Sequence, residues 1–447
     1  MARKNFPGTP MTRAIGAIVA AGKRASILGE AGTGKSSTLE KGLGGRIEQW
    51  ILTDTYRLMT KRVDAVRADD AAAVKAIDAE IDALAARVPR LGAWDAHVET
   101  VVGSNREAPD FMGAMLEIDG ETTYAELRWA RNLNAAIRLG KRALLDLDEF
   151  NTSETPVFKA MMRVLQEGQV GEMYLDPKVA MIALGNPPER SVDAVDLHGP
   201  IANRLIHLDW SFDMDDWMRG LVSGFETIEH PDIEEFICPD PAENRIRVAS
   251  RVAGYLRANP GRANPGQPAD PVEAGKAWPS LRSWLNMVDV LAYVHPADEA
   301  AASLVIKGAV GDADYAAFLA YLRDKDLPDL RAAMEDPDSV DWKSLRVDQC
   351  FAVAQGVNAL VVSDWSMGEE DSWFDGMAVM TEMGRANQAD VALPMVRKMV
   401  EMNRQAVVDG DVPQDFVRLF GALLERMDLG FRAPRARRAA TARSRAR

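Results

Sequence analysis

Eight consecutive residues, Gly29-Glu30-Ala31-Gly32-Thr33-Gly34-Lys35-Ser36, have the types and spacing of a phosphate-binding loop, G-x-x-x-x-G-K-S. The glycines let backbone N–H groups turn inward around phosphate oxygens. Lys35 brings positive charge to the β- and γ-phosphates. The Ser36 hydroxyl is a hard oxygen ligand suited to Mg2+, and Ser37 follows in the same turn. A helix beginning at Lys35 adds its positive dipole end.

Other residues could complete hydrolytic chemistry around such a loop. Asp148 and Glu149 end an apolar run, Ala143, Leu144, Leu145 and Leu147, which only Asp146 interrupts. A carboxylate at a strand end beside the loop can hold Mg2+ through water, a role that fits Asp148. Its neighbour Glu149 can take a proton from the attacking water. Asn186 closes another apolar run, "VAMIALGN", where an amide can orient that water. Ser104 and Asn105 end a further run, and a polar group there can hydrogen-bond Glu149 and restrain it. Arg204, in "HGPIANRLIHLDW", stands just before a strand-like stretch. Taken alone it reads as a surface arginine paired with an acid such as Asp209.

Five short apolar runs position these groups: Ala25–Gly29, His97–Val102, Ala143–Glu149, Val179–Asn186 and Arg204–Trp210. Helical stretches separate most of them, which predicts an α/β fold with a mainly parallel sheet covered on both faces. Two features interrupt the alternation. Val74, Ile77, Ile81, Leu84 and Val88 recur at steps of three and four, and Met59, Val63 and Val66 continue the spacing upstream. A break at "RADDA" predicts an inserted helical hairpin over about 48–95; one long amphipathic helix is the alternative. Asp119-Gly120, inside Ala114–Leu127, predicts a β-hairpin, and a second is expected within Gly168–Val179. After Trp210 the pattern is mainly helical, with Ser280 a candidate helix cap. His207 lies inside a strand and reads as packed rather than catalytic. Trp210, Trp278 and Trp284 read as packing between the core and the helices that follow.

Composition narrows the classes. The 447 residues are 47% hydrophobic, with 67 Asp and Glu against 53 Lys and Arg. Residues 432–447 hold seven arginines and no acid, and without them the net charge falls from −14 to −21. An acidic body disfavours general nucleic-acid binding, which needs clustered positive charge. The tail reads as disordered, or as a contact for something anionic. Two cysteines, Cys238 and Cys350, are too few for a disulfide framework or a zinc site. No apolar run approaches a membrane span. "AIGAIVAAG" has some character of a signal peptide, but the phosphate loop follows directly and cleavage would strip its lead-in helix. The expected location is cytoplasmic.

The order of strand and phosphate loop, strand, strand with Asp-Glu, strand with Asn, then "GPIANR", resembles AAA+ ATPases. The stretch "DEFNTSETPVFKAMMRVLQEGQV", Asp148–Val170, resembles the MoxR-type branch. The hairpin at Asp119-Gly120 is similar to that clade's helix-two insert, and the one after Gly168 to its pre-sensor hairpin. "AWPSLRSW" is similar to its lid motif, with Leu281 where the motif has proline. The resemblance spans roughly 9–329, departs at 48–95 and fades after Pro337.

That resemblance implies a P-loop AAA+ core over 1–212 with a five-stranded parallel sheet of order 5-1-4-3-2. An α-helical lid over 213–336, a C-terminal helical region over 337–431 and the Arg-rich tail would follow. It implies ATP and Mg2+, and self-assembly into a ring, commonly a hexamer. Arg204 would reach the γ-phosphate of the neighbouring subunit, Asn186 would be a sensor, and Arg282 would contact the phosphate of its own subunit. The expected function is a MoxR-type chaperone-like ATPase that remodels a protein client, with a von Willebrand A domain protein as partner. Two alternatives remain. One is a nucleic-acid motor or loader using the Arg-rich tail. The other is a nucleotide switch that barely turns over, against which Glu149 and Arg204 argue.

Overall fold

The computed structural model describes residues 6–118, 120–187, 195, 197, 199–211, 214–224, 230–323 and 327–427. The Arg-rich tail and Asp119 lie outside them. The chain forms two compact units, one of 1–244 with 262–316, the other of 245–261 with 317–447. The expected lid range is thus shared between them.

Five strands form the sheet of the first unit: β1 (Arg24–Leu28), β2 (Ala96–Val102), β3 (Arg142–Asp148), β4 (Ala180–Gly185) and β5 (Ile206–Asp209). All neighbouring pairs are parallel, in the spatial order β2-β3-β4-β1-β5. From the other edge this reads 5-1-4-3-2. The central strands are buried on both faces and mostly apolar, with β4 buried at every position and Ser26 and Asp146 the polar exceptions in β1 and β3, because helices cover both sides. β1, flanked by β4 and the edge strand β5, runs straight into the phosphate-type loop.

Residues Gln49–Arg67 and Ala71–Ala85 form two helices joined by a tight turn in which Asp69 takes φ 54°. The inserted hairpin is therefore present. Its buried residues Ile51, Leu52, Leu58 and Ile81 join the same apolar cluster as Leu133, Leu145 and Leu147, so it extends the core of the sheet layer. The expected upstream stripe is corrected: Val63 and Val66 are exposed. The face that packs is set by Ile51, Leu52, Thr55 and Leu58 instead, because this helix rests on helix Arg128–Arg138 as well as on its hairpin partner.

Strands Met115–Ile118 and Glu121–Tyr124 pair as an antiparallel hairpin, with Gly120 at φ +82° in its turn. Gln169–Val170 and Met173–Tyr174 form the second. Thr123 Oγ1 donates to Glu172 Oε2 across the two (2.8 Å).

Helices Leu281–Leu291 and Glu299–Val310 belong to the first unit and lie on the β5 side of the sheet. Ser280 caps the first of these, accepting from Ser283 N at 3.1 Å. Gly308 permits the second to lie against β5; a Cβ there would come 2.2 Å from His207 O. A buried Arg13–Asp298 pair (Nη2···Oδ1, 3.0 Å) ties the same layer to helix Pro10–Ala20.

The second unit is helical. Helices Val347–Ser366, Asp371–Arg385, Ala389–Met402 and Phe416–Arg426 enclose Trp373, Met377, Met380, Met395 and Phe420. Asp364, 1% exposed, is compensated by a bidentate contact from Arg331 at 2.6 and 2.9 Å.

Candidate functional site at the carboxyl ends of the strands

The loop Gly29–Gly34 leaves β1 at its carboxyl end, the side of a parallel sheet on which ligands bind. Gly32 and Gly34 take φ +75° and +82°, values at which a side chain would be strained. Gly29 is needed for a different reason, since a Cβ would meet Trp210 Cβ at 2.7 Å. Trp210 closes β5, and its indole N–H donates to Thr33 O (3.3 Å), so it buttresses the loop rather than packing a lid on the core. Glu30 and Ala31 sit exposed at the tip. A short α turn, Lys35–Ser37, passes into a π-helical stretch, Thr38–Leu43, where an α-helix was expected. The Ser37 and Thr38 hydroxyls both donate to Gly34 O, fastening the turn.

Lys35 is 8% exposed. Its ammonium donates to Gly29 O at 2.6 Å and Glu30 O at 2.7 Å. Desolvation lowers its pKa from the ordinary lysine value, and the nearby charge of Asp148 opposes that shift. Loop cation and strand-end carboxylate are therefore electrostatically coupled.

Asp148 ends β3, and its Oδ1 accepts from Glu149 N (2.9 Å). Glu149 takes φ 53°, a left-handed conformation unfavourable for a residue with a side chain. Its Oε2 accepts a hydrogen bond from Ser104 Oγ, at the end of β2. Strained backbone and a neighbouring-strand donor together hold this carboxylate in one place.

Asn151, just beyond, has a role that sequence reasoning missed. It is 1% exposed; its Nδ2 donates to Asn186 O (2.8 Å) and its Oδ1 accepts from Asn186 N (3.2 Å). This clamp fixes the backbone of Asn186 at the end of β4. Gly185 makes room for it, since a Cβ there would meet Asn151 Oδ1 at 2.4 Å. The only sequence signal was an asparagine two residues after Glu149. The Asn186 side-chain amide makes no hydrogen bond to any described residue.

The structure thus brings the loop, Asp148, Glu149 and Asn186 to one end of the sheet. Ser36 and Asp148 supply a hydroxyl and a carboxylate, hard oxygens of the kind Mg2+ takes. Ser36 directly follows Lys35, which lies within electrostatic reach of Asp148, so the two oxygens stand at the same end of the sheet.

Arg204 and Arg282 are elsewhere. Arg204 precedes β5 and so lies at the amino ends of the strands. Five residues at about 3.3 Å each put roughly 16 Å between the two ends of the sheet. Arg204 Nη1 donates to Pro200 O (2.9 Å), and Asp209 lies at the far end of β5. Asn286, one turn after Arg282, donates to Arg204 O (3.4 Å). Desolvation lowers the Arg204 pKa, and the positive charge of Arg282 adds to that; Glu167 opposes it. Arg24, at the start of β1, is lowered likewise by desolvation and by Arg204. Three guanidinium groups therefore cluster at the edge opposite the loop. This corrects the expectation that Arg282 contacts a phosphate on its own subunit: helix Leu281–Leu291 sits against residues 203–204, with Asn203 bonded to both Trp278 O and Ser280 Oγ.

The fold and loop define a class, an α/β domain with a phosphate-loop strand–turn–helix at the carboxyl edge of a parallel sheet. No family model matches the sequence, and no curated protein does. Among solved structures, the chain is similar to a protein from Cytophaga hutchinsonii ATCC 33406 described as a candidate ATPase. The identity is 14%, over 71% of this chain and 90% of that one, with a TM-score of 0.37. The functional reading therefore rests on the site.

Proposed function

We propose that the chain is an ATPase of the AAA+ type, in the MoxR-like branch, that hydrolyses ATP as a ring and couples turnover to remodelling a protein client. The observation that carries this reading is the separation of charges. Lys35, Asp148, Glu149 and Asn186 share one end of the sheet, while Arg204 and Arg282 share the other. Within one chain, Arg204 and Arg282 stand at the edge away from the phosphate loop. A neighbouring copy can bring its pair to that loop.

In this mechanism the loop N–H groups and Lys35 bind the phosphates. Mg2+, held by Ser36 and by Asp148, would neutralise charge on the phosphoryl oxygens. Glu149 accepts the proton of the attacking water, and Asn186 orients that water against the γ-phosphate. Ser104 restrains Glu149 until the site is engaged. Arg204 and Arg282 of the next subunit stabilise charge on the transferring group, an effect worth about 10³–10⁵ in rate when supplied in trans. A hexameric ring and a von Willebrand A domain partner belong to the same reading through the resemblance of Asp148–Val170 to MoxR-type proteins.

Two substitutions test the chemistry. Lys35→Ala is expected to lose ATP binding. Glu149→Gln is expected to bind ATP and retain it, with turnover reduced by about 10²–10⁴. Unchanged turnover in Glu149→Gln would assign the base to another group.

A further inference from the structure

Helix Met214–Ser223 presents an apolar stripe to solvent. Met214, Trp217, Met218, Leu221 and Val222 follow the i, i+3, i+4, i+7, i+8 pattern of one helix face. Their exposure runs from 43% at Trp217 to 86% at Val222. Such a stripe normally faces a core, whereas here it is Gly220 that is buried. The helix begins four residues after Trp210, whose indole holds the phosphate loop. Four residues span at most about 14 Å, so the helix starts within that distance of Trp210.

A second apolar pair lies at the other edge. Leu281 and Leu285 are 66% and 52% exposed, on the stripe adjoining Arg282 and Asn286. They therefore flank the arginine cluster.

The charges around the two patches differ in balance. Glu30, Asp148 and Glu149 stand with Lys35 at the loop edge, and Arg24, Arg204 and Arg282 with Glu167 at the other. Two different patches with differing rims suit a head-to-tail contact between copies rather than a two-fold one. Seating one on the other would also carry Arg204 and Arg282 toward the neighbour's loop, the approach that the proposed mechanism requires.

We infer that the apolar face of helix Met214–Ser223 in one copy docks on Leu281 and Leu285 of the next. The contact rests on the ring reading above and names the surface that builds it. Its apolar centre and charged rim have the anatomy of a specific protein interface.

Cysteine cross-linking tests the pairing. Leu221→Cys and Leu285→Cys chains are prepared separately, mixed with Mg-ATP and treated with diamide, which takes up the two thiol hydrogens as the disulfide forms. Both native cysteines are buried, and the unsubstituted chain gives the background. A linked dimer is expected in the mixture and in neither variant alone. Self-linking of Leu221→Cys would overturn the head-to-tail contact in favour of a two-fold one.

A companion variant, Leu221→Glu, is expected to raise the assembly midpoint in sedimentation at least about tenfold, the factor equivalent to about 1.4 kcal/mol. ATP binding by the monomer should be unchanged. Lost ATP binding would mean that the helix supports the loop instead, and would overturn the inference. If Lys35→Ala and Arg204→Ala chains complement one another but the cysteine mixture does not link, the docking surface is wrong and the ring reading stands. If the cysteine mixture links but those chains do not complement, the contact stands and catalysis in trans does not. A chain that sediments as a monomer at every concentration with Mg-ATP would overturn both.

Discussion

At the scale of single residues, the site is organised around holding two groups still. Glu149 sits at φ 53° and takes a hydrogen bond from Ser104; Asn186 has its backbone clamped by Asn151. Removing the first restraint should release the base. Ser104→Ala is expected to raise hydrolysis at low protein concentration by up to about tenfold, the worth of a charge-assisted hydrogen bond of about 1.5 kcal/mol. A steady-state assay that shows a fall would make Ser104 part of the catalytic apparatus instead of a restraint. Asn151→Ala should leave two backbone groups of Asn186 without their partner, costing about 1–3 kcal/mol by denaturant titration. The position of Glu149 was legible in the sequence, because it follows an apolar run that reads as a strand ending at the loop side of the sheet. The Asn151 clamp was not, because its partner belongs to a different strand, 35 positions away.

At the scale of elements, β5 and the helices behind it decide where the arginines go. His207, inside β5, has a fixed tautomer. Its Nε2 donates to Ala202 O (2.9 Å), so Nδ1 must accept from Ser26 Oγ (3.1 Å). Desolvation lowers its pKa, with the Ala202 hydrogen bond and Asp209 opposing. The folded state therefore resists protonation more than the unfolded chain does. Stability from the neutral ring is present above the unfolded value, about 6.5, and is lost as pH falls through the lower folded value. His207→Gln should flatten this acid limb in a pH series of thermal melts; an unchanged limb would assign it to other groups. The five strands were legible because strands buried on both faces read as apolar runs. The hairpin insertion was legible from its period and its break. Which face of its first helix packs was not, because helix Arg128–Arg138, distant in sequence, decides that. The position of Arg282 was hidden for the same kind of reason. Its motif fixes a helix start, but only the seating of Ser280 and Asn286 on residues 203–204 shows which end of the sheet it joins.

At the scale of the whole molecule, the proposed mechanism assigns complementary halves of one reaction to the two edges of the first unit. In the proposed function the inserted hairpin and the helical second unit are the parts that select a client. That mechanism makes assembly a condition of turnover, which a mixing experiment reads directly. Arg204→Ala chains keep an intact loop; Lys35→Ala chains keep an intact arginine edge. Each should be inactive alone. Mixed at varied ratios with Mg-ATP, they should recover part of the wild-type ATPase rate, because an Arg204→Ala site can take its arginine from a Lys35→Ala neighbour. Recovery that peaks at intermediate ratios is the predicted result. No recovery at any ratio, with both chains shown by sedimentation to co-assemble, would contradict catalysis in trans.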